Sequence, residues 1–303
     1  MTPPSPQSAT SETGFDQLLG FTIPQRDARG RIVRLGPELD TILAAHSYPA
    51  ALKHCLAEAL VLTALMGSLL KDKGDQLTMQ AQGKGGAADL LVCDFRDGEL
   101  RGYVQQSGSG NPGESANSSL ESLFGEGYMT ITFDLAETKK RYQGIVPLEG
   151  ACLSEAVECY FEQSEQVPTL VRTAIRSEPA GSIGAGLLVQ HLPEGEQGRE
   201  RIHVRLDHPE WEHVAILAGS IKHDELVEPQ LSLEALVWRL FHEESEVRVL
   251  KGKRLTRGCR CTIEHFEKVL ARFPKKERRD MADPSGIIRI DCAFCSRDFC
   301  IQD

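Results

Sequence analysis

Near its C-terminus the chain reads Cys259-Arg260-Cys261 and, further on, Cys292-Ala293-Phe294-Cys295, and these two stretches decide how this end of the chain folds. Two pairs of closely spaced thiols can converge on one tetrahedral ion, and deprotonated sulfur at about 2.3 Å is the ligand that Zn²⁺ prefers. Cysteines with one or two residues between them can also form short-loop disulfides when the metal is lost. The spacing therefore predicts that Cys259, Cys261, Cys292 and Cys295 bind one zinc ion, either in a purely structural site or in a site that is also a redox switch.

The segment 256–303 around these cysteines is below the size at which a hydrophobic core usually suffices for folding. Structural zinc contributes roughly 10 to 16 kcal/mol in small peptides, whereas whole domains are stable by only about 5 to 15 kcal/mol. We therefore expect loss of the metal to unfold this segment. Peroxide or hypochlorous acid would convert a thiolate to a sulfenic acid that the neighbouring cysteine resolves to a disulfide.

Composition describes a globular chain of two or three units. It has 303 residues, 26% of them charged, and a net charge of -10, which argues against a general nucleic-acid binder. The first residues, MTPPSPQSATSETG, have neither a basic region nor an apolar core, so we predict a disordered tail over 1–28 rather than a signal peptide. The longest apolar stretch, 56–70, contains Glu58 and is too short and mixed to span a bilayer. These features predict a cytoplasmic protein that binds no membrane.

Residues 29–193 carry the pattern of a mixed helix and strand domain. A helix starting at Pro49 has one broad apolar face that should pack on a sheet. The free cysteines Cys55, Cys93, Cys152 and Cys159 fall on apolar positions and are predicted to pack in the core. A Gly/Ser/Asn-rich loop is expected over 107–119. The predicted strands cover 31–35, 77–82, 89–95, 100–105, 129–135, 141–148, 169–176 and 186–192, and two shorter helices cover 37–46 and 153–164.

Residues 194–255 form a linker with two predicted amphipathic helices. The first has Asp207 as its N-cap with Glu210 three residues on, and the second begins after Ser232. Such helices cannot bury their apolar faces alone, so they should cover the preceding domain, either permanently or as a displaceable cover. The predicted apolar face consists of Trp211, Val214, Ala218, Ile221, Leu233, Leu236, Val237, Leu240 and Phe241.

Several stretches together match one family. They are Ala45-His46-Ser47-Tyr48-Pro49, Leu100-Arg101-Gly102-Tyr103, Arg141-Tyr142-Gln143-Gly144-Ile145-Val146 with Leu148-Glu149-Gly150, Ser164-Glu165-Gln166-Val167-Pro168-Thr169, and Arg239-Leu240-Phe241-His242-Glu243-Glu244. With the two cysteine pairs behind them, the chain resembles the 33-kDa heat-shock protein family of redox-regulated holdase chaperones. The match runs from about Arg31 to Cys295.

The resemblance implies an α+β protein with an amino-terminal α/β core, a helical linker (194–255) folded over it and a carboxy-terminal zinc domain (256–303). It implies that the four cysteines bind zinc when reduced and pair as Cys259 with Cys261 and Cys292 with Cys295 when oxidised; sequence alone leaves three connectivities open. It further implies an ATP-independent chaperone, not an enzyme, that binds unfolding client proteins, dimerises when oxidised and passes clients to ATP-dependent refolding chaperones. Unfolding of the zinc domain is expected to remove a packing partner from the linker and so release it.

One additional thiol and two alternative functions remain to be weighed against this interpretation. Cys300 is an additional thiol that could replace a ligand, although a bystander role is favoured. A thiol-disulfide oxidoreductase using Cys292 and Cys295 is an alternative, but the usual strand leading into a helix is missing. A zinc-ribbon module for nucleic acid is the other, and the acidic balance disfavours it.

Overall fold

The computed structural model describes residues 14–108, 118–178, 181–192 and 208–302. Its strands are β1 (Gln17–Ile23), β2 (Ala28–Leu35), β3 (Gln76–Gly85), β4 (Ala88–Arg96), β5 (Glu99–Gln106), β6 (Gly125–Leu135), β7 (Lys140–Pro147), β8 (Thr169–Glu178), β9 (Gly181–His191), β10 (Arg248–Arg254), β11 (Thr256–Arg257), β12 (Ile287–Asp291) and β13 (Asp298–Gln302). Its helices are α1 (Pro37–Leu43), α2 (Ala50–Gly67), α3 (Leu120–Phe124), α4 (Leu153–Tyr160), α5 (Pro209–Gly219), α6 (His223–Leu226), α7 (Leu233–Phe241), α8 (Ile263–Leu270) and α9 (Lys275–Met281).

These strands form two large sheets and one hairpin. The five-stranded sheet has the order β10-β1-β2-β9-β8, and the six-stranded sheet has the order β11-β5-β4-β3-β6-β7. All neighbours are antiparallel except β11 and β5, and β12 pairs with β13 in the separate hairpin. The mixture of helices and sheets confirms the predicted α+β class. Most of the predicted loop, residues 109–117, and the start of the linker, residues 194–207, lie outside the described residues.

Helix α2 lies between the two sheets and is the centre of the core. Its sequence predicts one apolar face, but the helix is buried on nearly all sides because it packs on both sheets. Glycines on the strands let it approach closely: a Cβ at Gly102 would lie 2.7 Å from the Cys93 sulfur and 3.0 Å from Leu56, and one at Gly186 would lie 2.6 Å from Val61. Among the described residues α2 is also the one helix long and apolar enough to cross a membrane, and 83% of that window is buried inside the fold, as expected of a core helix.

Strand β1 corrects the prediction of a tail over 1–28. Residues 17–23 are an ordered strand whose Leu19, Phe21 and Ile23 are buried. The Pro/Ser/Thr-rich composition that predicted the tail ends near Gly14, and the apolar run after it pairs with β2 on one side and with β10 on the other. Strand β10 therefore joins the last part of the predicted linker to the first strand of the chain, a pairing that local sequence patterns do not reveal.

Helices α5 to α7 cover the outer face of the five-stranded sheet. Alternation along the strands points Phe21, Ile32 and Leu187 toward these helices, while neighbouring residues point toward α2. Of the predicted apolar face, Leu240 is partly buried against this sheet. The other eight residues are buried there: Trp211, Val214, Ala218, Ile221, Leu233, Leu236, Val237 and Phe241.

The start of α5 differs from the prediction. The N-cap is His208, whose Nδ1 accepts a hydrogen bond from the backbone N–H of Glu210 at 3.3 Å, and Pro209 occupies the first helical position. Proline is favoured there because its fixed φ suits the helix and its missing N–H has no helical partner. Asp207, the predicted N-cap, lies outside the described residues. Helix α7, the second of the two predicted linker helices, begins as predicted, and the Ser232 hydroxyl accepts a hydrogen bond from the backbone N–H of Ala235.

Candidate metal centre

The sulfur atoms of Cys259, Cys261, Cys292 and Cys295 lie within 4.8 Å of one another. The Sγ–Sγ distance is 3.3 Å for Cys259 and Cys261, 3.6 Å for Cys259 and Cys292, and 3.5 Å for Cys261 and Cys295. Four sulfurs around a tetrahedral zinc at about 2.3 Å would be separated by distances of this order. No other group of three or more potential ligands is found in the part of the chain that the structure describes.

Two turns bring these thiols together. The first pair follows β11, and Thr262 then caps helix α8 by accepting a hydrogen bond from the backbone N–H of His265. The second pair lies between β12 and β13, in a turn closed by the backbone N–H groups of Cys295 and Ser296, which both donate to the Cys292 carbonyl. The C-x-x-C pair therefore sits in a hairpin turn rather than at the start of a helix, which is not the arrangement of thiol-disulfide oxidoreductases.

The thiols have unequal acidity. Burial opposes ionisation of Cys259, but hydrogen bonds from the backbone N–H of Cys261 and from the surrounding thiols outweigh it and lower the pKa of Cys259 to about 7. Burial raises the pKa of Cys261, and so do the thiols around it. Burial also raises the pKa of Cys292. A cation at the centre of the cluster would favour the thiolate form of Cys261 and Cys292. This donor set fits zinc.

The unit that carries the cluster has almost no hydrophobic core. Its buried apolar cluster consists of Leu270, Ile288 and Ile301, with a few partly buried neighbours such as Phe266. The helix α9 has no buried residue. With so small a core, a metal bound by the four cysteines would supply most of the folding free energy of this unit.

The cysteine unit docks on the six-stranded sheet. Strand β11 pairs with the edge strand β5, and the backbone N–H of Gly258 donates to the Leu100 carbonyl at 2.8 Å. The backbone N–H of Arg257 donates to Glu38 of α1 at 2.8 Å. Between the first two cysteines, Arg260 donates to the Gln76 side chain at 2.6 Å. The linker helices cover the other sheet, so the two units lie on different sheets.

The remaining cysteines are outside the cluster. Cys55 and Cys93 are buried in the core, and burial raises the pKa of each. Cys152 and Cys159 are only half-buried. Cys300 is exposed on β13 opposite Arg289, which places it among the surface residues of the hairpin.

Charged residues also hold the linker to the five-stranded sheet. Arg34 of β2 is fully buried and donates to the backbone carbonyls of Leu226 and Leu231, at 3.0 and 2.5 Å. Glu244, after α7, accepts from Arg26 at 2.9 Å, and its other oxygen lies 2.8 Å from Nε2 of His213. Arg26 also pairs with Glu210. Sequence patterns contain no sign of the contacts made by Arg26 and Arg34, because Arg26 is 218 residues from Glu244 and Arg34 is 192 residues from Leu226 along the chain.

A family model described as Hsp33 protein matches residues 16–302. The chain belongs to the Hsp33 family. It is 37% identical over 296 residues to the 33 kDa chaperonin of Caulobacter vibrioides, with 93% of each chain covered. It is 34% identical over 284 residues to the 33 kDa chaperonin of Shewanella loihica, covering 94% of this chain and 92% of the relative.

A solved structure supports the fold. The 33 kDa chaperonin (heat shock protein 33 homolog) of Thermotoga maritima matches with a TM-score of 0.78 and 20% sequence identity, and 95% of each chain is covered. The family model and the sequence relatives confirm the predicted family. The Hsp33 family membership supports a chaperone function, and its named relatives are chaperonins. Four close thiols are consistent with metal binding and with redox-sensitive chemistry.

Proposed function

We propose that this Hsp33 family member is a redox-regulated, ATP-independent holdase chaperone. In the reduced, zinc-bound state the linker covers the five-stranded sheet and the chain is inactive. Oxidation unfolds the cysteine unit, releases the linker and exposes apolar surface that binds unfolding proteins. The observation that carries the proposal is a thiol cluster with all sulfurs within 4.8 Å in a unit with almost no hydrophobic core.

Zinc would be held by Cys259, Cys261, Cys292 and Cys295, and when bound it would stabilise their thiolates and cross-link the two turns. Hydrogen peroxide oxidises a thiolate to a sulfenic acid and releases hydroxide; a neighbouring thiol then attacks the sulfenic sulfur, forming a disulfide and water. We assign the pairs as Cys259 with Cys261 and Cys292 with Cys295, following the family resemblance. The assignment rests on that resemblance, since the Cys259 sulfur lies about as close to the Cys292 sulfur, at 3.6 Å, as to the Cys261 sulfur, at 3.3 Å. Disulfide-bonded sulfurs no longer ligate the metal, so the unit loses its main source of stability.

Unfolding of the cysteine unit would reach the linker by a different route from the one that the sequence predicts. The sequence predicts direct packing between them, whereas the contacts described above join the cysteine unit to β5, α1 and Gln76. The covalent connection runs from β11 through Leu255, whose backbone N–H donates to the Asp16 carbonyl, to the edge strand β10. An edge strand can detach without breaking the rest of its sheet. We therefore infer that unfolding spreads along β11 and β10 to the segment after α7 that carries Glu244.

Release of the linker would uncover two apolar surfaces. One is the outer face of the five-stranded sheet, with Phe21, Ile32 and Leu187, and the other is the linker's own face around Trp211 and Phe241. Exposed apolar surface of this kind binds segments of unfolding proteins. We further propose that the oxidised chain dimerises, that it passes clients to ATP-dependent chaperones and that it is cytoplasmic. These three points rest on the family resemblance.

The two tryptophans provide a direct test, since both Trp211 and Trp238 lie in the linker. Trp211 is 8% exposed and Trp238 is 66% exposed, so the variant Trp238→Phe leaves one buried reporter of linker docking. Peroxide treatment at elevated temperature should release zinc, shift Trp211 emission to longer wavelength and suppress aggregation of a heat-unfolded client. Equal suppression by the reduced, zinc-loaded chain would contradict the proposal, and so would zinc release without a shift in Trp211 emission. Mass spectrometry of peptides from the oxidised chain identifies the disulfide pairs.

A further inference from the structure

Phe294, the residue that precedes Cys295 in the C-x-x-C turn, packs its half-buried ring against Arg101 and Tyr103 of β5. The guanidinium carbon of Arg101 lies 4.0 Å from the ring centroid of Phe294. The ring of Tyr103 meets the same ring edge-on, with centroids 4.9 Å apart and an interplanar angle of 82°. Cation–π and edge-to-face contacts of this kind are favourable for any aromatic side chain.

Two hydrogen bonds flank the ring on the side of α1, and each joins a side chain to a backbone carbonyl. The Ala293 carbonyl oxygen lies 2.8 Å from Nε2 of His46, and the Ser296 hydroxyl donates to the Ala45 carbonyl at 2.6 Å. Neither hydrogen bond involves an atom of a cysteine. We call the surface formed by Ala45, His46, Arg101 and Tyr103 the Phe294 seat. Through Phe294 and Ala293 the seat contacts an aromatic side chain and the backbone carbonyl next to it, and a client polypeptide can present both.

The seat is built on rigid parts of the core. Arg101 donates to the Asp94 carboxylate at 2.7 and 2.5 Å, and Asp94 is buried and also accepts from Thr78 at 2.7 Å. The guanidinium is thus fixed before the ring arrives, so binding costs little side-chain entropy. Because β4 and β5 pair along their whole length in the six-stranded sheet, Arg101 and Tyr103 of the seat should keep their positions when the cysteine unit unfolds.

We propose that the Phe294 seat is a client-binding site: Phe294 fills it in the reduced chain, and an aromatic side chain of an unfolding protein fills it after oxidation. The C-x-x-C turn thereby acts as an internal substitute for a client. This inference rests on the proposed function, because the seat is vacated only if oxidation unfolds the cysteine unit. It adds a defined, aromatic-selective site on the six-stranded sheet to the apolar surface that the linker uncovers.

The test uses the full-length chain, oxidised and zinc-free, and two fluorescein-labelled peptides. One has the sequence of residues 289–298 with serine in place of both cysteines, so that its single aromatic residue is phenylalanine, and the other has leucine in place of that phenylalanine. Fluorescence anisotropy should show that the oxidised chain binds the phenylalanine peptide about 3- to 10-fold more tightly, which corresponds to roughly 0.7 to 1.4 kcal/mol. An unfolded client such as carboxymethylated α-lactalbumin should displace this peptide. The reduced, zinc-loaded chain should not bind it, because the seat is filled.

Substitutions separate the seat from the rest of the sheet. Tyr103→Leu should abolish the preference for the phenylalanine peptide, and Tyr103→Phe, which keeps the ring, should retain it. Tyr128→Leu is the matched control, since Tyr128 is an exposed tyrosine of the same sheet that hydrogen-bonds Gln82. An unchanged preference in Tyr103→Leu overturns the inference, and so does a client that fails to displace the peptide. If the oxidised chain suppresses client aggregation without any aromatic preference, the inference is wrong and the proposed function stands. If it does not suppress aggregation at all, the proposed function itself is wrong.

Discussion

Arg260 and Phe294 occupy intervening positions of the two cysteine pairs, and each contacts the six-stranded sheet. The spacing of the cysteines predicts a metal cluster because ligand geometry is local to two short turns. It says nothing about the residues between them, whose partners Gln76 and Arg101 lie on strands far back in the sequence. At this scale the sequence predicts that the four thiols lie close together, as they do, but it does not predict the docking contacts of Arg260 and Phe294.

The first prediction compares two thiols of the hairpin. Cys295→Ser removes a sulfur of the cluster, whereas Cys300→Ser removes an exposed one outside it. Loss of an outer-shell partner alone typically weakens metal binding by about 10- to 100-fold, so loss of a ligand should weaken it by more than about 100-fold. Zinc competition with a chromogenic chelator measures both variants. A large loss of affinity in Cys300→Ser would show that the ligand assignment is wrong.

The second prediction concerns Glu244. Burial acts against its ionisation, but hydrogen bonds from Arg26 and His213 outweigh burial and hold the pKa of Glu244 below its ordinary value of 4.5. A carboxylate with a depressed pKa stabilises the folded state above its unfolded pKa, and this stabilisation is lost as the pH falls through the folded pKa. Docking of the linker should therefore weaken below about pH 4.5.

Glu244→Gln should reproduce that loss at neutral pH, by about 1 to 2 kcal/mol, because the charge-assisted hydrogen bonds are removed. Trp211 emission during urea titration, in the Trp238→Phe background, reports the linker. Glu243→Gln is the control, since the neighbouring side chain is exposed. Equal midpoints for Glu244→Gln and the parent at pH 7 would contradict this role.

At the scale of elements, α2 shows how tertiary packing overrides a sequence pattern. Its apolar residues predict a helix packed on one sheet, yet the helix is buried between two. Gly102 on β5 and Gly186 on β9 provide the room, and the side chains of Leu56 and Val61 fill it. A strand glycine is ambiguous in sequence, because bulges, bends and close approaches all use it.

The third prediction tests that close approach. Gly102→Ala places a methyl group 3.0 Å from Leu56 of α2 and 2.7 Å from the Cys93 sulfur of β4, which should destabilise the fold by about 1 to 3 kcal/mol through overpacking. Gly219→Ala at the end of α5 is the control: its nearest contacts would be at 3.7 Å, and alanine is a better helix former than glycine. Urea denaturation followed by circular dichroism measures both. Similar midpoints for the two variants would mean that α2 does not approach β5 this closely.

At the scale of the whole molecule, the layers follow the order linker helices, five-stranded sheet, α2, six-stranded sheet and cysteine unit. The cysteine unit and the linker helices, which the proposed switch would couple, therefore lie on opposite outer faces. Only β10, Leu255 and β11 join them along the chain. A local change at the cysteines can reach the linker through this connection without unfolding the core.

The fourth prediction follows from that order. Removing zinc from the reduced chain with a chelator should abolish hydrogen-exchange protection over 263–302, because the buried core of this unit is limited to Leu270, Ile288 and Ile301. Protection of α2 should be unchanged, since it lies inside the main core. Mass-spectrometric hydrogen exchange measures both regions at once. Persistent protection of α8 and β12 after metal removal would exclude metal-dependent folding.

By itself the sequence determined the α+β class, the family, the four close thiols and the apolar linker helices, because ligand spacing and hydrophobic periodicity are local properties. Tertiary structure alone decided that β1 belongs to the core, that β10 pairs with it, that α2 is enclosed by two sheets and that Phe294 contacts Arg101. Each of these joins residues distant in sequence, and such pairings depend on the packing of the complete chain rather than on any local pattern.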